Sequence, residues 1–162
     1  TTKRTANVFV GAPGAVVPAH FDRHHNVLLQ IRGTKVLTVG RFPDARQAKR
    51  ETEREFDQRH HGIAALPPET VTFELGPGDG IYIPAYTFHW VVGGPEVSVA
   101  LSCGYSTPAT ARTEVVHRTN ARLRRFGIPT GAPGRSAAVD TGKVLLYRSA
   151  RRVQAARWRA TR

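Results

Sequence analysis

Gly76-Pro77-Gly78-Asp79-Gly80-Ile81-Tyr82-Ile83-Pro84 sets a tight turn directly against a short apolar run. Glycine and aspartate supply turn dihedrals, and the bracketing prolines leave a segment too short for a helix, so Ile81–Ile83 reads as a buried strand. The same punctuation recurs on both sides. Val71–Leu75 leads into this turn, and His89–Val92 follows it, ahead of Gly93-Gly94-Pro95 and a final strand over Glu96–Tyr105. Upstream come Asn7–Val10, the turn Gly11-Ala12-Pro13-Gly14, Ala15–Asp22 and Asn26–Arg32. The break Gly33-Thr34 then opens Lys35–Arg41, in which Lys35, Leu37 and Val39 share one face and Val36 and Thr38 the other. Short β-branched runs parted by Gly/Pro turns predict an all-β sandwich or barrel.

Two stretches break that rhythm. Asp44–His61 crowds charges around a single aromatic, Phe56, and reads as a solvated helix or an excursion between strands. Beyond the last strand, Val116, Thr119, Leu123 and Phe126 recur at helical spacing within Thr113–Phe126. Gly127, Pro129, Gly131, Pro133 and Gly134 interrupt the chain, and Val144–Arg162 predicts a further helix with a thin stripe of Leu146, Ala150 and Val153. The expected organisation is a β core over residues 1–111 and a mainly helical extension over 112–162.

Charge divides at the same place. The 162 residues carry a net charge of +12, but residues 1–111 hold 11 basic and 10 acidic side chains while 112–162 hold 13 and 2. A nearly neutral body therefore precedes a strongly basic extension, and the total says little about chemistry in the body. The single cysteine, Cys103, excludes an internal disulfide framework and a cysteine-based zinc ribbon. No stretch approaches the roughly 18 apolar residues of a membrane span. No signal-like apolar run follows Thr1-Thr2-Lys3-Arg4-Thr5, and the expectation is a cytoplasmic protein.

Chemistry concentrates at Ala19-His20-Phe21-Asp22. In a strand, His20 and Asp22 project to one side and Phe21 to the other, so an imidazole and a carboxylate stand together. Such a pair is either a simple hydrogen-bonded couple or two adjacent ligands of one metal. His89, in Pro84-Ala85-Tyr86-Thr87-Phe88-His89-Trp90, is the best third ligand. Two histidines and one carboxylate on one face of an octahedron leave three positions open, as non-haem Fe(II) oxygenases require. His24-His25 and His60-His61 are less promising, because adjacent strand residues face opposite ways and each pair can give one site one ligand. Cys103 reads as a small buried residue.

The stretches Val17-Pro18-Ala19-His20-Phe21-Asp22, Asn26 through Lys35, and Pro77 through Pro84 with His89, followed by Val97–Tyr105, resemble the JmjC-type cupins, close to the asparaginyl-hydroxylase-like branch. The resemblance covers roughly residues 7–107 in order, spacing and turn chemistry. It implies a mainly β fold, the double-stranded β-helix or jelly-roll barrel of the cupins, with C-terminal helices. It further implies Fe(II) held by His20, Asp22 and His89, and 2-oxoglutarate as co-substrate. Lys35 stands where the family pairs a lysine with the far carboxylate of 2-oxoglutarate; a surface lysine after a Gly-Thr turn is the plainer reading. Asn26 and Ser102 fall at two further polar positions of the family's pocket, Ser102 replacing an asparagine. Val17 stands where a hydroxyl residue is usual. The family also takes an aromatic hydroxyl from strands upstream of the core, and 19 residues precede His20.

The resemblance implies an enzyme that hydroxylates a protein side chain, a peptide, an amino acid or a small metabolite. Tyr86, Phe88, Trp90 and Phe21 either shape its substrate pocket or fill its core. A different class of function is a non-catalytic cupin-like binding or regulatory module whose basic extension engages nucleic acid or an acidic protein. The extension lacks a recognised readout motif, which favours solvated helices packed on the barrel or on a partner subunit. Helical C-terminal segments in this family often build the dimer interface, a role the stripe from Val116 to Phe126 would suit.

Overall fold

The structure is a computed structural model that describes residues 3–57, 63 and 65–160. The chain forms two compact units, Thr1–Thr110 and Ala111–Arg162.

In the first unit the described residues form β1 (Arg4–Gly11), β2 (Val16–Phe21), β3 (His25–Arg32), β4 (Lys35–Arg41), α1 (Ala45–Asp57), β5 (Glu69–Leu75), β6 (Gly80–Ile83), β7 (Phe88–Gly93) and β8 (Ser98–Tyr105). These strands make two four-stranded sheets, ordered β1-β8-β3-β6 and β2-β7-β4-β5. Pairing is antiparallel throughout, and it is nested: β1 with β8, β2 with β7, β3 with β6, β4 with β5. A long hairpin wound on itself in this way is the jelly-roll or double-stranded β-helix. Leu28, Leu37, Leu75, Ile83 and Ala100 are buried between the sheets, Leu37 and Ala100 completely.

A second apolar cluster lies on the other face of the β2-β7-β4-β5 sheet. Phe88 meets Phe21 and Phe42 edge-on, at 5.4 and 5.2 Å between ring centres. Helix α1 packs here through Ala48 and Phe56, with Phe56 6.4 Å from Phe21. Asp44 caps the helix by accepting from the Arg46 N–H at 2.8 Å. The charged segment is thus a helix held by one thin apolar edge; Arg46, Arg50, Arg54 and Asp57 are exposed, while Lys49, Glu51, Glu53 and Glu55 are half-buried, Glu55 lying 3.7 Å from Arg23. The pair His60-His61 lies outside the described residues.

The helices α2 (Pro108–Arg125) and α3 (Ala137–Ala160) both start earlier than their apolar periodicity predicts. Thr107 accepts from the Thr110 N–H at 3.1 Å ahead of Pro108, an N-cap followed by a proline in the first turn. Asp140 reaches back to the Gly134 N–H at 2.7 Å and so fixes the entry to α3. Within the second unit, buried Thr119 and Asn120 bond to the carbonyls of Lys143 and Gly131 at 3.3 and 3.0 Å. The predicted stripes pack only in part. Val116 is buried, but Phe126 lies past the end of α2 and is 81% exposed, and Leu146 and Val153 of α3 are each 54% exposed. Val144, with Asp140 and Lys143, takes the buried face instead. Among the described residues no helix is long and apolar enough to cross a membrane.

Candidate metal centre

Strands β2 and β7 run side by side in a register that sets His20 opposite His89 and Phe21 opposite Phe88. Further along, Val17 is opposite Val91, so three steps on β2 match two on β7. This is a β-bulge, and Pro18, which has no N–H to give a ladder, falls inside it. The bulge lets Val17 and His20, an odd number apart, face the same way. The two imidazoles meet at 4.4 Å between ring centres.

Ligand atoms of His20, Asp22 and His89 all lie within 4.8 Å of one another. Each histidine is oriented by the carbonyl two residues before it: His20 Nδ1 by Pro18 O at 2.8 Å, His89 Nδ1 by Thr87 O at 2.9 Å. A carbonyl can only accept, so Nδ1 carries a proton in both rings, and in the neutral form of each ring the lone pair is left on Nε2. Burial pushes the His89 imidazole below its ordinary value of 6.5, the Thr87 carbonyl pulls the other way, and His20 adds to the lowering. The neutral ring that results is the form that binds a metal.

Asp22 is steadied on two sides. Its carbonyl accepts from the Tyr86 N–H at 2.7 Å, and Tyr86 sits at φ 64°, a left-handed conformation costly for an aromatic residue. Its carboxylate Oδ2 accepts from Asn26 Nδ2 at 3.4 Å. Ser102 Oγ donates to Asn26 Oδ1 at 2.8 Å, which fixes which way the amide points. Asn26 and Ser102 are both buried.

The three residues open onto a cavity of about 390 Å³. Leu28, Leu37, Ile83 and Val91 form its apolar wall, and Asn26, Ser102, His24 and Lys35 its polar points. Lys35 is half-buried, and its side-chain ammonium has no hydrogen bond or ion pair among the described residues. Burial holds its ammonium below the ordinary lysine value of 10.5. Val17 also lines the cavity, and it brings no hydroxyl.

The aromatic residues considered for the pocket do not line it. Phe21 and Phe88 belong to the cluster under α1, Tyr86 packs 5.7 Å from Phe21, and Trp90 is placed across from Thr38. Of the adjacent histidines, His24 lines the cavity while His25 turns outward, where Tyr82 Oη and the Ala85 N–H both approach its Nδ1, at 2.6 and 3.4 Å. The sequence reading missed Asn7 and Phe9 of β1, which also line the cavity; their alternation along β1 was the available signal.

The JmjC domain family matches over residues 1–113. The chain belongs to that family. Among solved structures this JmjC domain is similar to a cupin superfamily protein from Desulfitobacterium hafniense, at 15% identity and a TM-score of 0.41, over 66% of this chain and 79% of that one. It is also similar to an RmlC-like cupin from Shewanella frigidimarina, at 17% identity and TM-score 0.43, over 65% and 68%. The cupin domain of CENP-C from Drosophila melanogaster matches at 15% identity and TM-score 0.44, over 62% of this chain and 59% of that chain.

Proposed function

We propose that this protein is an Fe(II)- and 2-oxoglutarate-dependent oxygenase that hydroxylates a protein side chain, a peptide, an amino acid or a small metabolite. The observation that carries the reading is the meeting, in one cavity, of His20, Asp22 and His89 with a half-buried Lys35 whose ammonium has no partner among the described residues. The donor set fits: two Nε2 atoms and one carboxylate would supply three ligands and leave the cavity side open. Bound there, Fe(II) supplies O2 activation coupled to decarboxylation of 2-oxoglutarate to succinate and CO2. The protein's own share is positional. Pro18 O and Thr87 O hold the two imidazoles, Asn26 holds Asp22, and the apolar wall keeps water away from the reacting end. Lys35 receives the far carboxylate, and the anion offsets the cost of burying the ammonium. Residues 1–111 carry all of this chemistry, with 112–162 as a separate basic extension.

Val17 and Ser102 favour a second reading, a non-catalytic module that keeps the barrel and binds nucleic acid or an acidic protein through the extension. Val17 offers no hydrogen bond to a carboxylate, and Ser102 is already donating to Asn26. One experiment separates the two. Fe(II) and 2-oxoglutarate are added without oxygen and the visible charge-transfer band of the chelate is sought; O2 is then admitted and succinate measured. The oxygenase reading requires both signals in the native protein and the loss of both in His20→Ala and Asp22→Ala. Absence of the band in the native protein refutes it, and salt-sensitive retention of nucleic acid or of an acidic protein would then support the module.

A further inference from the structure

Between β5 and β6 the barrel wall is open. These strands end the two sheets, and each is paired on one side only, β5 with β4 and β6 with β3. The gap is a groove of about 950 Å³, walled by Val39, Val71, Phe73 and Ile81. These side chains belong to the inward faces. Phe73 stands opposite Leu37, Val71 opposite Val39 and Ile81 opposite Leu28, and Leu37 and Leu28 are buried in the core. Cross-strand partners share a face of the sheet, so Phe73 points the way Leu37 does. Yet Val71 is 59% and Phe73 41% exposed, whereas Leu75 on the same face is buried. Inward-facing apolar side chains left in water mark a seam that the described residues do not close.

The seam is open in its main chain as well. The Gln30 N–H donates to the Asp79 carbonyl at 2.8 Å, one step beyond the pairing of Leu29 with Gly80. Antiparallel partners alternate between bonded and non-bonded pairs, so Leu28 with Ile81 and Asn26 with Ile83 are bonded. Gly80 and Tyr82 therefore turn their N–H and C=O groups away from β3 and into the groove, and no strand among the described residues takes them up.

Charge selects the kind of chain that fits. Glu74 and Asp79 line the groove, and no lysine, arginine or histidine does so among the described residues. Glu74 alternates with Phe73 and Leu75 along β5 and so faces outward. A strand laid into the seam meets apolar side chains on its inner face and carboxylates towards solvent.

We propose that this groove docks an extended peptide segment of a partner protein, in which apolar residues alternate with arginine or lysine, and that the segment adds to β6 as a further strand. Its apolar side chains cover Val71, Phe73 and Ile81, its cations face Glu74 and Asp79, and its main chain bonds to Gly80 and Tyr82. Docking requires no metal, so its test is separate from that of the oxygenase reading.

The test is fluorescence anisotropy of the full chain with a labelled heptapeptide of alternating valine and arginine, beside a probe with the same side chains on a fully N-methylated backbone. The variants are Phe73→Thr and Glu74→Lys, with Val8→Thr on exposed β1 as control, and circular dichroism checks that each folds. Saturable binding is expected for the native protein and Val8→Thr, at least tenfold weaker for Phe73→Thr, for Glu74→Lys and for the N-methylated probe. On binding, amide exchange measured by NMR should slow at least tenfold at Gly80 and Tyr82, while Ile81, already bonded to Leu28, changes little. Absence of saturable binding overturns the proposal. So does equal binding of the N-methylated probe, indifference to both groove substitutions, or an equal loss in Val8→Thr. Protection of the same amides by a concentration-dependent dimer, without peptide, overturns it too, because the occupant is then a second copy of the chain.

Discussion

Replacing Lys35 by methionine keeps the aliphatic stem and removes the charge, and the two consequences have opposite signs. Lys35 lies four residues before Val39, the register partner of His89, so its Cα stands on the order of 13 Å along the strand from the histidine. An extended lysine reaches about 6 Å, and the remaining gap of about 7 Å is spanned by a five-carbon dicarboxylate from end to end. Loss of one charge-assisted contact costs about 2 kcal/mol or more, so Lys35→Met should weaken anaerobic 2-oxoglutarate binding roughly 30-fold or more in calorimetric titration with Fe(II) present. The ligand-free protein should not suffer, because the ammonium is half-buried with no partner among the described residues. Its thermal midpoint should stay level or rise. The pH dependence follows the same logic: below the depressed folded pKa both states hold the proton and the burial penalty is fully present. Between that pKa and the ordinary 10.5 the unfolded chain holds more protons, so stability of the native ligand-free protein rises with pH while 2-oxoglutarate affinity falls. Native-like binding by Lys35→Met, or a clear loss of ligand-free stability, would refute the assignment of Lys35 as the anion's partner.

Val17→Thr restores a hydroxyl to the cavity wall and should tighten 2-oxoglutarate by about one hydrogen bond, some fivefold in Kd by the same titration. Ser102→Ala releases the Asn26 amide from its fixed orientation and should weaken metal binding about tenfold, read by competition with a chromophoric chelator. Gly33→Ala places a methyl 2.7 Å from the Val97 carbonyl at a residue with φ 67°, and should lower the denaturation midpoint by about 1–3 kcal/mol of stability. Leu37→Ala empties the middle of the core at a fully buried site and should cost about 2–5 kcal/mol in urea unfolding.

Much of the barrel could be read from the chain because its turns are chemically explicit. Gly33 and Gly78 do adopt the positive φ that such turns need, and the strands between them fall close to the predicted runs. That His20 and Asp22 share one side was also legible from alternation, whereas His89 joins them through the pairing of β2 with β7. What local sequence could not supply was pairing. The bulge at Pro18 exists only relative to β7, and Phe21, Phe42 and Phe88 became one cluster only once α1 lay over them. The helix starts were a different failure. Thr107-Pro108 is an N-cap signal that lies ahead of the first apolar position of the helical stripe, Val116, so periodicity alone starts the helix too late.

The first sheet shows a deeper limit. Alternation divides a strand into two faces without saying which is inside, and the hydrophobic effect ordinarily decides. In β8 that rule would put Val99, Leu101 and Cys103 in the core, yet Ser98, Ala100 and Ser102 hold it. The inversion follows from the cavity: a barrel that must hold Asn26 against Asp22 needs a short polar side chain opposite, and Ser102 provides it. Once Ser102 faces in, period two forces Leu101 and Cys103 out. The same constraint that builds the pocket therefore turns Leu101 and Cys103 to the outer face of the sheet.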